Sequence, residues 1–328
     1  MQILNNANFD FIRWRWHAIV LSLVVVLAGV AVVLTKGMPL GIDFSGGTLV
    51  IVKFSQPTTE DAVRRALDSL PGEKVVQQYG DAKANELMVR LPQVTTAEQG
   101  FSLEQGSRDI QAALDKAGLP KYEIIGREFV GPTIGADLQR KGVYATLLSI
   151  LGITAYIAVR FRFSFALGAI AATFHDVLVV FAFLAFFGYE LSLTVVAAIL
   201  TITGYSVNDT IVIFDRVREN SRLLRREPLE KVVNLSVNQT LSRTIITAGT
   251  TFLSVLALYL FGGEVLQGFA FAMLVGIISG TYSTIFIASS IAILLSQRRK
   301  SPPAGAAPAS ASAPVAGAKA KQRKVRAS

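Results

Sequence analysis

Apolar residues fall in six long runs separated by short charged stretches. The runs are roughly Trp16–Thr35, Gly142–Val159, Ser164–Phe187, Leu191–Phe214, Thr244–Gly263 and Gly268–Leu295. A bilayer is crossed by a helix of about 20 apolar residues. The pattern therefore predicts a polytopic α-helical membrane protein with six transmembrane helices. The last run is uncharged from Val265 to Gln297, long enough to tilt or to extend past the bilayer. The first run, Ala18–Leu34, has 17 uncharged residues. A signal-peptide core is typically ~7–15 residues, so this run reads as a retained anchor. Small residues at Gly29 and Ala31 leave cleavage as the other reading.

Between the first two runs, the pattern changes period. Thr48–Phe54 is β-branched and reads as a strand. Thr59–Leu70 reads as a helix, with Thr58 as a candidate cap and Pro71-Gly72 ending it. Lys74–Tyr79 and Glu86–Leu91 read as strands around a turn at Gly80-Asp81. Ser102–Ala117 reads as a second helix, stopped by Gly118 and Pro120, and Tyr122–Val130 as a last strand. The order β-α-β-β-α-β predicts a ferredoxin-like α+β domain. That fold hosts many functions and identifies none.

Charge adds sidedness. The chain has 328 residues, 52% hydrophobic and 17% charged, with a net charge of +9. The segment from Arg298 to Ser328 holds eight Lys/Arg and no Asp/Glu, so the remainder carries only +1. That balance does not point to nucleic acid. Lys and Arg cluster before run one, between runs two and three, between runs four and five, and after run six. With six spans these positions share one side, the cytoplasm by the positive-inside rule. The loops opposite carry Glu190 and Glu264. The expected layout is a cytoplasmic N-terminus at 1–15, a first span at 16–35 and an outer domain at 36–140. Five further spans lie within 141–297, with a basic cytoplasmic loop near 215–243. A Pro/Ala/Ser-rich and then basic tail at 298–328 is expected to be disordered and to lie near anionic lipid. The chain has no cysteine, which removes thiolate chemistry, disulfides and Cys-type metal sites.

The informative polar residues lie inside the apolar runs. Asp209 is the only charge in the 24 residues from Leu191 to Phe214. An ionisable group there is costly unless paired, protonated or hydrated. It reads either as a proton-binding carboxylate or as a hydrated residue near the interface. Ser206, Asn208 and Thr210 flank it and are candidates to orient it or water. Arg243 opens the antiparallel fifth run at similar depth and is either its partner or an ordinary positive flank. His175 and Asp176 lie midway along the third run, as a titrating pair or as a polar clasp between helices. His17 and His175 are the only histidines, so no metal site and no cofactor are expected. Gly41–Thr48 (G-I-D-F-S-G-G-T) lacks the Lys-Ser/Thr of a phosphate loop and reads as a tight turn entering the outer domain. Gly276 and Gly280 form a G-x-x-x-G pair suited to close helix packing. No hydrolase constellation is evident, so no catalytic residue is assigned.

Five motifs in order resemble the SecD/SecF family of protein-export membrane proteins, on its SecF side. They are G-I-D-F-S-G-G-T at Gly41–Thr48, V-G-P at Val130–Pro132 and H-D-V at His175–Val177. The other two are G-Y-S-V-N-D-T-I-V-I-F-D-R-V-R-E-N at Gly204–Asn220 and N-Q-T-L-S-R-T at Asn238–Thr244. The resemblance covers about residues 9–300. It implies the resistance–nodulation–division superfamily and an inner (cytoplasmic) membrane location with both termini cytoplasmic. It implies SecD as the other six-helix half, the SecY–SecE–SecG channel and YajC as neighbours, and an exported unfolded polypeptide as cargo. It further implies use of the proton gradient, with Asp209 and Arg243 in the proton pathway and His175-Asp176 important in an unspecified way. Gly41, Asp43, Gly46, Gly47, Gly131 and Pro132 are its structural motif positions. Two other functions fit the spans: a proton-driven small-molecule exporter and a non-transporting assembly scaffold.

Overall fold

The computed structural model describes residues 8–71, 74–80, 82–91 and 103–298. The expected disordered tail lies outside the described residues beyond Arg298. Gly72, Asp81 and Ser102, placed above at helix ends and a turn, also lie outside them.

Among the described residues six helices are long and apolar enough to span a membrane. They are α1 (Arg15–Lys36), α5 (Pro132–Arg160), α6 (Phe163–Phe187), α7 (Leu193–Leu223), α8 (Leu229–Phe261) and a sixth in three parts. Its parts are α9 (Glu264–Ser283), a π-helical turn (Thr284–Ala288) and α10 (Ser289–Arg298). Between α1 and α5 lie α2 (Ile42–Ser45), β1 (Gly47–Phe54), α3 (Glu60–Ala66), β2 (Val75–Gln78), β3 (Glu86–Leu91), α4 (Leu103–Lys116) and β4 (Tyr122–Val130).

The strands form one antiparallel sheet in the order β2-β3-β1-β4, the ferredoxin-like arrangement. Alternation along β1 sends Val50, Val52 and Phe54 to one face, joined by Leu87, Val89 and Leu91 of β3. Val63 and Leu67 of the α3 segment, four apart, and Ile110, Ala113 and Leu114 of α4 cover that face. Each fully buried Val or Leu contributes ~1.5–3 kcal/mol, so this apolar layer holds the domain without disulfides. Thr59 caps α3, one position after Thr58, the cap expected from the sequence.

The sheet's other face is buried at one end, where β1 begins and β3 finishes. Arg90, which pairs with Leu49 in register, is buried there. Its guanidinium bonds the Leu40 carbonyl and the Glu190 carboxylate, the latter at 3.0 Å. Arg90 thus ties β3 to the turn between α6 and α7.

The basic stretch 215–243 is a correction. It is helix on both sides of a turn at Leu224–Pro228, because α7 runs to Leu223 and α8 starts at Leu229. The apolar run ends at Phe214, yet the buried stripe continues through Val217 and Asn220. On α8 it continues through Val232, Val233, Ser236, Val237, Thr240 and Leu241. Spacing of three and four keeps these residues on packed faces while the arginines turn outward.

Packing is uneven among the spans. Two thirds (67%) of the sixth span's apolar window is buried, against 6% for α5 and 11% for α8. The sixth span is therefore the central helix, enclosed by α6, α7 and α8. Gly276 and Gly280 permit this. A Cβ on Gly280 would lie 3.0 Å from the Ser206 Cβ, and one on Gly276 about 2.4 Å from the Ile202 side chain.

Candidate functional site within the bilayer

Asp176 of α6 is 1% exposed and is surrounded by donors. One oxygen accepts from Ser206 Oγ at 2.6 Å and Ser283 Oγ at 2.8 Å. The other accepts from Ser279 Oγ at 2.7 Å and faces His175 Nδ1 at 3.1 Å. Three helices, α6, α7 and α9, meet on this one carboxylate. His175 Nε2 is buried and has no hydrogen-bond partner. Ser279 and Ser283 were not singled out from the sequence. Their signal was the G-x-x-x-G pair, which sets α9 close enough to α7 for short serine side chains to reach Asp176.

Asp209 has a different surrounding. It sits on the α8-facing side of α7, partly buried, and accepts one hydrogen bond, from Thr244 Oγ1 at 2.8 Å. Its second oxygen, Oδ2, is buried without a partner. Thr244, the last residue of the N-Q-T-L-S-R-T motif, was missed as a site residue. Arg243 precedes it on α8. It is exposed and within electrostatic reach of Asp209, but no ion pair joins them. The expected Asp209–Arg243 pairing is thus replaced here by the threonine bond. Arg243 instead lines an open cleft of about 590 Å³ with Asn208, Ile211, Val212, Asp215, Arg216, Glu219, Gln239 and Thr240.

The residues flanking Asp209 do not act together. At 3.6 residues per turn, Ser206 and Thr210 share a face directed at α6 and the sixth span. Ser206 serves Asp176, and the Thr210 hydroxyl pairs with Thr284 at 3.0 Å. Thr284 opens the π-helical turn, whose extra residue per turn offsets the helix there. Asn208 faces the cleft. Of the expected supporting residues, none bonds Asp209 directly.

The glycine segment docks on the outer end of α7. Gly41 N–H donates to the Leu191 carbonyl at 2.8 Å, and Leu191 N–H to the Pro39 carbonyl at 2.8 Å. Asp43 Oδ2 accepts from Leu193 N–H at 2.9 Å, capping α7 from another segment. A Cβ on Gly41 would lie 3.1 Å from the Leu191 carbonyl oxygen, so a larger side chain fits there only if the seam gives by a few tenths of an ångström. Gly46 (φ +67°) and Gly47 (φ +121°) then turn the chain into β1 in backbone that side chains disfavour. Gly131 and Pro132 begin α5, with proline in the first turn where no backbone donor is lost. Glu190 lies beside this seam. Burial pushes its carboxyl above the usual range, and the Arg90 guanidinium opposes that shift. Among the described residues no three His, Asp or Glu side chains converge as metal ligands.

This is a polytopic membrane protein with two aspartates inside apolar helices and an α+β domain seated on the end of the helix that carries Asp209. Residues 109–298 match the family model for the protein export membrane protein SecD/SecF, C-terminal, and residues 31–58 match the SecD/SecF GG motif. The chain is 42% identical to the protein translocase subunit SecF of Rhodothermus marinus, over 91% of this chain and 96% of that one. It is 37% identical to SecF of Escherichia coli O157:H7, over 89% of each. The crystal structure of SecDF, a translocon-associated membrane protein from Thermus thermophilus, superposes with a TM-score of 0.80 at 36% identity, covering 91% of this chain. The chain spans 40% of that longer protein. A SecDF structure in a super-membrane-facing form gives a TM-score of 0.66 at 38% identity. The chain belongs to the SecD/SecF family and within it groups with the SecF protein translocase subunits.

Proposed function

We propose that the chain is the SecF half of a SecD–SecF assembly that uses the proton motive force to promote protein export across the inner membrane. The outer domain faces the periplasm and both termini face the cytoplasm, as the Lys/Arg placement supports. The assembly works beside the SecY–SecE–SecG channel, with YajC as a further neighbour and the unfolded exported chain as cargo. Asp209 is the carboxylate that takes up and releases the proton, and Arg243 is the cation that responds to its charge. His175-Asp176 holds the helix bundle around which that change occurs.

The observation that carries this reading is the half-filled shell of Asp209: one hydroxyl donor, one free oxygen, and an arginine-lined cleft beside it. A proton crossing the membrane releases ~2.3 kcal/mol per 100 mV. That suffices to bias two states if protonation of Asp209 favours one of them. The same helix, α7, is capped at its other end by Asp43, so a tilt of α7 reaches the outer domain directly.

The test is pulse–chase export of a secreted protein in cells whose only copy is Asp209→Asn. We expect a severe export defect at normal membrane abundance; normal export removes Asp209 from the mechanism and favours an assembly scaffold. A second test asks whether the outer domain must move. The Gly41 Cβ position lies 3.3 Å from the Ser192 Cβ, near the ~3.5–4.5 Å of a disulfide. Gly41→Cys/Ser192→Cys, in a chain without other cysteines, is expected to lose export stimulation when oxidised and regain it on reduction. Equal export in both states argues against a moving domain.

A further inference from the structure

At the end of the bundle away from the outer domain, the arginines are not evenly spread. Arg160 and Arg162 flank the α5–α6 turn, and Arg218 and Arg222 lie one turn apart on the extended part of α7. All four line a single cavity of about 460 Å³, with Val159, Phe161, Phe165, Phe214 and Ser221. The Phe214 ring packs edge-on against Phe161 and Phe165, at centroid distances of 6.0 and 5.0 Å, giving the cavity a rigid aromatic floor. Arg160 is already engaged, by Asp215 at 3.0 Å and over the Phe161 ring at 5.3 Å. Among the described residues no carboxylate pairs with Arg162, Arg218 or Arg222. No side chain caps the N-terminus of α6, which opens into the same place. The positive end of a 25-residue helix therefore adds to the three unpaired guanidinium groups.

We propose that this cavity binds the phosphate headgroup of an anionic phospholipid, with its acyl chains along the apolar side of α5. Guanidinium forks match phosphate oxygens in geometry and charge. A soluble anion would need only the arginines. The aromatic floor, together with Val159 (91% exposed) and Phe163 (64% exposed) at the rim, suits a ligand with hydrocarbon attached. The cavity also sits where α5 ends and α6 begins. Charge topology alone places arginines at such helix ends but does not converge four of them on one cavity. The convergence arises because α7 stays helical for nine residues past Phe214 and carries Arg218 and Arg222 back over the α5–α6 turn. This inference rests on the six spans and not on the proton reading.

The test is native mass spectrometry of the full-length protein, in its membrane complex, from mixed micelles containing phosphatidylglycerol or phosphatidylcholine. Wild type should retain phosphatidylglycerol preferentially. Arg162→Gln/Arg218→Gln/Arg222→Gln should lower that retention by roughly tenfold or more, since each basic residue near an anionic surface contributes a several-fold factor. Arg225→Gln/Arg226→Gln/Lys231→Gln, a matched charge loss at the α7–α8 turn, should leave it unchanged. Equal retention of the two lipids, or an equal loss in the control triple, overturns the proposal. Displacement of the lipid by millimolar inorganic phosphate makes the site one for a soluble anion. Loss of a co-purifying subunit in place of lipid makes it a protein interface. Either result also overturns it.

Discussion

Asp176 and Asp209 are both aspartates in apolar spans, yet their surroundings are opposite. Asp176 has three serine hydroxyls and an imidazole on its two oxygens. Asp209 has one threonine hydroxyl and a bare oxygen. A buried carboxylate with a full shell has its best arrangement already, and any change leaves several donors without an acceptor. A carboxylate with a half-empty shell has acceptor capacity left over, on a buried oxygen that no neighbour satisfies. The difference teaches that a charge in a membrane span is not one category: the donor count around it separates a satisfied carboxylate from an unsatisfied one.

The comparison breaks most easily at Asp176. Intramembrane hydroxyl bonds contribute on average ~0.6 kcal/mol each and at most ~1.7, so Asp176→Ala is expected to cost ~2–4 kcal/mol. Thermal unfolding in detergent and membrane abundance should both fall, whereas Asp209→Ala, losing one such bond, should stay close to wild type. An abundant, stable but export-dead Asp176→Ala would place both aspartates in the working cycle. Thr244→Val comes next. It removes the sole donor to Asp209 and leaves the packing nearly unchanged. Loss of a bond worth ~1 kcal/mol should slow export several-fold without changing abundance. Unchanged export would mean that Thr244 does not set the Asp209 state.

Glu190 gives the smallest effect and sharpens the contrast from outside the bilayer. One of its oxygens meets Arg90, and the other is buried without a partner. Burial raises its pKa in the docked arrangement, so docking takes up a proton. The contribution to docking is therefore fully present at low pH and is lost as pH rises through the raised value. Hydrogen-exchange protection in β1, taken relative to the intrinsic exchange rate at each pH, should rise on acidification from pH 8 toward pH 5, by no more than about tenfold, and Glu190→Gln should flatten the response. A slope of opposite sign would mean that the ion pair with Arg90 dominates over burial.

Much of this was legible in the sequence. The β-α-β-β-α-β order and the six spans follow from period and length, signals that need no tertiary information. The helical extensions at 215–243 were hidden because charge ends an apolar window without ending a helix. Arg, Glu and Leu are good helix formers, and the buried stripe from Val217 to Leu241 keeps its spacing. Asp209 stood out as a lone charge. Its donor Thr244 did not, since a threonine in a helix most often bonds its own backbone, as Thr247 does with Arg243. The serines around Asp176 were hidden for the same reason, and only packing at Gly280 reveals them. Ser206 and Thr210 were assigned to Asp209 by adjacency, when helical rotation sends them to other neighbours.

The cap on α7 carries one more consequence. Asp43 reaches Leu193 N–H from a separate segment, while Ser192, the residue before the helix, accepts from Val195 N–H at 3.3 Å. The first turn therefore has a native cap as well as a borrowed one. If the glycine segment lifts away, the helix keeps its own terminus and does not unravel. Release then breaks the Asp43 bond at the cap and the two backbone bonds that join Gly41 and Pro39 to Leu191, and re-engagement meets a preformed docking end. A joint built this way can part without undoing the helix it caps.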